Sequence, residues 1–226
     1  CCGRPWSRPA SRSSAPTTAA SDFGARLVLE GSRVVHGGRI QVAGGEVTLR
    51  ATGADTLDGD GAIVRSIELL AGSRLEATGF TKTFDAVTVS APAGIVRLAA
   101  ALGGVRTHAD SVIDVSASGA DAGQFVVSAV AGDVQFDGTL RGAATGTATI
   151  APRNGRFALD ALSLADLSTL AARLQAGGFT DAVSVRVREG DLSLLADVTL
   201  RANRVSLSAD DGSIDRTVVI TANRRA

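Results

Sequence analysis

Carboxylates are the residues of this chain whose types and spacing come nearest to chemistry. Asp55, Asp58 and Asp60 run into Gly61 in the segment Asp-Thr-Leu-Asp-Gly-Asp-Gly, which has the look of a calcium loop. A helix–loop–helix calcium site needs oxygen ligands at fixed places around a glycine at the sixth. Counting from Gly61 puts Thr56 at the first place and Ile67 at the twelfth, with Glu68 one residue late. The tandem Gly-Gly-x-Gly-x-Asp of calcium-binding solenoids is absent as well. The run therefore reads as an acidic turn.

A second chemistry is suggested by Asp110, Asp114 and Asp121. Acid–base cleavage of a polysaccharide needs carboxyl groups close enough to flank one sugar, with basic partners beside them. Asp114 has the outward residues Arg97 and Gln135 within one or two coils in this reading, yet nothing in the pattern selects the three acids over solvent-facing ones. His36 and His108 have no Ser, Cys or metal-ligand partner at useful spacing, and His108-Ala109-Asp110 reads as a turn. Gly37-Gly38 and Gly44-Gly45 fall between strands, where they make no phosphate cradle. Arg186, Arg188 and Arg201 line up as outward positions suited to an anionic glycan, diluted by Glu189 and Asp191. No residue is assigned a catalytic, cofactor-binding or metal-binding role.

The elements that must carry these residues are strands. Val47-Thr48-Leu49, Ile67-Glu68-Leu69 and Val87-Thr88-Val89 repeat an apolar–polar–apolar step about every twenty residues, each near a Gly or Pro turn. A fixed period of that size marks a solenoid, whose coils bury themselves only against their neighbours. Strict alternation continues through Leu75–Thr78, Ile113–Ala117, Val134–Asp137, Val198–Ala202 and Val205–Ala209, as expected of strands with one buried face. Ser73–Gly79 resembles Ser111–Gly119 at an offset of about two such coils. An antiparallel sandwich also has evenly spaced strands, but hairpin dipeptides are rare (Asn154-Gly155 is the one Asn-Gly) and aromatic residues make up 4%. The expected architecture is all-β, a right-handed parallel β-helix of roughly nine coils with one inserted lateral α-helix.

That helix is predicted over about 163–176. Leu164, Leu167, Leu170, Ala171 and Leu174 recur at helical spacing, Ser163 can cap the start and Gly177-Gly178 follows the end. Its apolar stripe is expected to shield the side of the solenoid. Residues 1–22, rich in Pro, Ser, Thr, Ala and Arg, are expected to be disordered because they cannot bury enough surface to offset their ordering entropy. Residues 23–226 form the solenoid.

Composition narrows the functions. Twenty-three basic and twenty-three acidic residues balance to zero, which leaves no electrostatic footprint for nucleic acid. Ala, Val and Leu dominate the apolar set, suiting a narrow layered interior more than a core built on large rings. The only cysteines, Cys1 and Cys2, lie outside the repeats, so no disulfide staples the fold. Lys82 is the single lysine among 23 basic residues, a coding habit of high-GC bacteria, and the absence of Met suggests a piece of a longer protein.

The run from Gly177 to Asp215, GGFTDAVSVRVREGDLSLLADVTLRANRVSLSADDGSID, resembles the shaft repeats of filamentous-haemagglutinin-like exoproteins of bacterial two-partner secretion systems. The resemblance is clearest over about 155–215 and looser over 40–150. It implies a right-handed parallel β-helix, secreted through an outer-membrane transporter and displayed on a Gram-negative cell as an adhesin or toxin-carrying stalk. The Asn-Pro motifs of that family's secretion domain are absent here, so the expectation is an internal shaft fragment. The expected role is a structural, non-catalytic shaft, with a host-surface glycan or protein as possible partner and end-to-end self-association of the isolated fragment. A β-helix carbohydrate-active enzyme and the stalk of a contact-dependent toxin are the alternatives.

Overall fold

A computed structural model of the chain describes residues 24–85, 87–146, 151–195, 198–215 and, for the backbone alone, 220–222. The expected disordered segment 1–22 lies outside the described residues. The fold is all-β, dominated by parallel pairing, with one helix among the described residues. Strands stack on three faces. The first face holds Arg26–Gly31, Glu46–Ala54, Ile95–Leu102, Gln124–Phe136, Arg156–Leu164, Ala182–Glu189 and Arg204–Asp211, each parallel to the next. A second face stacks Val34–His36, Ile67–Leu69, Val105–Thr107 and the far half of Gln124–Phe136, which bends through both faces. The third stacks Arg39–Gln41, Arg74–Glu76, Val112–Asp114 and Thr139–Arg141.

In-register pairing piles like residue on like. Leu27, Val47, Val96, Phe125, Phe157, Val183 and Val205 form one inward column of the first face. Leu29, Leu49, Leu98, Val127, Leu159, Val185 and Leu207 form the next. All but the end members are essentially inaccessible to solvent. The second face adds Val34, Ile67, Val105 and Val134, and the third Ile40, Leu75, Ile113 and Leu140. Each buried Val or Leu contributes roughly 1.5–3 kcal/mol of apolar transfer.

The spacing of the stacked strands is not a uniform twenty residues. First-face partners Arg26, Glu46, Ile95, Gln124, Arg156, Ala182 and Arg204 follow one another at intervals of 20, 49, 29, 32, 26 and 22 residues. Val47 and Ile67 lie on different faces of one long turn, whereas Val87 belongs to an antiparallel hairpin, 80–91, outside the parallel stack. A second hairpin, 56–64, lengthens the same turn. The apparent period was thus the spacing of faces within a turn. The likeness of Ser73–Gly79 to Ser111–Gly119 is genuine stacking, one turn apart and not two: Leu75 pairs with Ile113 and Glu76 with Asp114. Seven stacked strands at about 4.8 Å make a first face roughly 30 Å deep, shorter than nine coils would give.

Close stacking needs glycine at one corner. Gly45, Gly94, Gly123 and Gly155 each precede a first-face strand, and a Cβ on Gly94 would collide with the carbonyl oxygen of Gly45, as one on Gly123 would with that of Gly94. The same carbonyls accept from the rung above, Ile95 N to Gly45 O at 2.9 Å and Gln124 N to Gly94 O at 3.0 Å. The corner can therefore neither widen nor take a side chain.

The helix spans Leu167–Ala176 and begins later than predicted, because Ser163 and Leu164 stay paired with Asp133 and Val134 in a strand. Asp166, not Ser163, is the cap: its carboxylate accepts from Ser168 N at 2.7 Å. Gly178, at φ 78, follows the helix end. The helix packs on the strands Thr139–Arg141 and Leu200–Ala202, and so takes the third-face position of its turn instead of covering a finished face. Gly142 N donates to Gly177 O at 2.6 Å, and the Gln175 amide donates to Arg201 O at 2.8 Å. Leu167, Leu170, Ala171 and Leu174 join the common core. That core also holds more ring bulk than the expected narrow interior of small residues: Phe125, Phe136, Phe157 and Phe179 form a chain of rings with centroids 5.5–6.4 Å apart. A helix about 10 Å across is wider than a strand, and these rings fill the space beside it.

Val185→Asp and Leu200→Asp are expected to abolish cooperative thermal melting, since each buries an unpaired charge, while Thr199→Asp leaves a sigmoidal transition. Circular dichroism melts of the three variants check the assignment. Gly94→Ala is expected to lose about 3 kcal/mol or more in urea unfolding, and Gly59→Ala, where a Cβ meets nothing, less than about 1 kcal/mol.

Candidate functional site

The acidic turn of the sequence splits into two structural tasks. Asp55 closes the corner between the first and second faces. Its Oδ1 accepts from Ser66 N and Gly104 N, each at 2.8 Å, and its Oδ2 accepts from Arg65 Nη1 at 2.8 Å. Arg65 also donates to Asp133, so one guanidinium joins three segments of chain. Gly103 and Gly104 leave room for it, since a Cβ on Gly103 would strike the Asp55 carboxylate. Burial pushes the Asp55 carboxyl up, but the Arg65 hydrogen bond, the Gly104 and Ser66 amides and the Arg65 charge together hold it below its ordinary value. Asp58 turns the 56–64 hairpin instead, accepting from Asp60 N and Ala62 N at 3.0 and 2.8 Å. Asp60 is exposed. Among the described residues no three His, Cys, Asp or Glu side chains are grouped to hold a metal ion.

Asp110, Asp114 and Asp121 are not brought together as one site. Asp110 sits at φ 64 in the turn closed by Ser111 N and Oγ on His108 O. Asp114 lies on the third face, its Oδ1 accepting from Ser116 N and Oγ at 2.9 and 2.6 Å. Asp121 accepts from Arg153 N at 2.7 Å. Arg97 faces out from the first face toward Glu46, and Gln135 from the second toward Asp137, so neither shares a face with Asp114. The carboxylate beside Asp114 is Glu76, one rung away in the row Gln41, Glu76, Asp114, Arg141. The 38-residue likeness between the two segments was the signal for that pairing. Glu76 is held by Arg39 at 2.6 Å and approached by Arg74 at 3.8 Å, and Asp114 is approached by Arg141 at 3.8 Å. The two acids are tied into a charge ladder.

The histidines and arginines follow the same rule. His36 is buried with Nε2 3.2 Å from Arg74 O, and His108 ends the second face. Arg186 and Arg188 share the outward side of one strand, where Arg186 grips Asp210 with its closest contact at 2.7 Å and Arg188 reaches Asp160 at 3.0 Å. The hydrogen bond to Arg186 is the main cause that holds Asp210 below the usual carboxylate range and raises the Arg186 guanidinium. Arg201 lies on Leu200–Ala202, the strand packed against the helix, apart from both. Asp191 carries a turn, accepting from Ser213 N and Oγ. A shallow depression of about 410 Å³ runs over Thr78, Ser116, Ser118 and Thr145 beside Arg141 and the helix end at Gly177. It offers hydroxyls and one guanidinium and no free acid–base pair.

Asp55→Ala is expected to destabilise the fold by about 2–4 kcal/mol at pH 7, because Arg65 and two amides lose their acceptor. The folded carboxyl titrates below 3.8, so its stabilisation is complete above that value and is lost as pH falls through the folded value. Urea unfolding at stepped pH should show the gap between native chain and variant narrowing below about pH 4. No family model, curated protein or solved structure matches the chain.

Proposed function

We propose that the chain is a shaft segment of a large secreted or surface-displayed bacterial exoprotein, a right-handed parallel β-helix whose role is structural and not catalytic. The observation that carries this reading is the parallel stack of seven first-face strands, each step in register over five or six consecutive residues, with apolar columns inside and charge pairs outside. Parallel crossover connections are right-handed in the great majority of folds, which supports the handedness. The resemblance of Gly177–Asp215 to two-partner exoprotein repeats supports the class, and with it an outer-membrane secretion transporter as partner. Such a shaft holds a receptor-binding or toxic segment away from the cell, and a host glycan or protein is the partner of the adhesin form. Leu29, an inward position of the first described strand, is exposed, which favours end-to-end association of an isolated segment.

The test is to read the frame on both sides of this segment and to follow its product in the source cell. Further parallel-strand repeats, an adjacent transporter gene and antibody labelling of intact cells are expected. Labelling only after the cells are lysed, with no transporter gene beside the frame, would overturn the proposal.

A further inference from the structure

Beside the first face lies a polar cavity of about 230 Å³, lined by Arg153, Arg156, Asp181, Ala182, Asn203 and Arg204. Its shape follows from one outward column, in which Arg156, Ala182 and Arg204 occupy successive rungs. Two long side chains two rungs apart, about 9.6 Å, flank a methyl group, so a gap opens over Ala182 that a larger residue would fill. Arg153 enters from the preceding loop.

The charge there is only partly cancelled. Asp181 is the one acid lining the cavity, and both its oxygens are engaged, Oδ2 by Arg156 Nε at 2.8 Å and Oδ1 by Asn203 Nδ2 at 3.3 Å. Asp121 accepts from the backbone of Arg153 and does not line the cavity. Neither the Arg153 nor the Arg204 guanidinium has a carboxylate partner among the described residues. Three arginines thus line a small gap that holds one acid. Arginines drawn from a loop and from two different strands suit an anion that accepts on several sides, and a planar carboxylate meets fewer of them.

We infer that Arg153, Arg156 and Arg204 form a binding site over Ala182 for a tetrahedral oxyanion, either free phosphate or the phosphate of a phosphomonoester. The site stands independently of the proposed shaft function. Asn203 adds an amide at its rim, and Asp181 holds Arg156 in place. The arrangement is a surface pocket, so binding is weakened by salt.

The test is calorimetric titration of the folded chain at constant ionic strength with inorganic phosphate, a sugar phosphomonoester and acetate. Both phosphates are expected to bind, and acetate at least about tenfold more weakly. Arg204→Ala is expected to weaken phosphate binding by about tenfold. Ala182→Leu is expected to abolish it while leaving every charge in place, with circular dichroism melts showing that both variants stay folded. Arg33→Ala, at the far end of the stack, is expected to bind as the native chain does. Tighter binding of the phosphomonoester assigns the site to a phosphorylated group, and tighter binding of inorganic phosphate to the free ion; either supports the site. No phosphate binding by the native chain, acetate binding as tightly as phosphate, or native binding by Ala182→Leu would overturn it.

Discussion

In-register hydrogen bonding between successive parallel strands is the constraint from which the rest of this structure follows. Once Val47 is matched with Val96 and Val96 with Phe125, their neighbours from Ile95 to Ala99 are matched as well. Because side chains alternate, a slip of one residue would turn both inward columns to solvent. The register is therefore held by the whole core at once, and it is tightened by the glycine corner, where each carbonyl accepts from the rung above at close range. Turn length is free by comparison. The entropic cost of a longer loop grows slowly, so one turn can hold two hairpins while the columns stay aligned.

The same logic explains the helix. A third-face position needs an apolar inner side and termini that meet the adjacent rungs, and it does not need to be a strand. Leu167, Leu170, Ala171 and Leu174 supply the first, and the bonds from Gly142 N to Gly177 O and from Gln175 to Arg201 O supply the second. The greater width of a helix is met by aromatic bulk. Phe179 lies against Gly142 and Gly155, positions where a Cβ would leave it no room.

On the outside, register stacks charges as it stacks methyl groups inside. Arg97 on Glu46, Arg186 on Asp210 and Arg188 on Asp160 are pairs made between rungs. Exposed pairs of this kind contribute little stability each, on the order of 1 kcal/mol or less. Their effect is to satisfy most outward charges locally, which suits the proposed shaft. At the cavity over Ala182 that pairing is incomplete, and the cavity exists because one small residue separates Arg156 from Arg204 in their outward column.

Local pattern determined the element types. Alternation in Val47–Leu49 and Val205–Ala209, and the leucine spacing of 167–174, act within a few residues, so the sequence alone showed strands, a helix and the inward side of each. It also held the Glu76–Asp114 pairing, as a likeness of segments 38 residues apart. Which strands meet was a tertiary decision, because turns of 20 to 49 residues hide the stacking distance from any fixed period. Asp55 read only as part of an acidic turn, and its role at the corner emerged when Arg65, Ser66 and Gly104 were brought to it. Arg153, Arg156 and Arg204 were inconspicuous along the chain, since only folding sets three successive rungs side by side. Periodicity is a property of neighbours in the chain, whereas a site is made by neighbours in space.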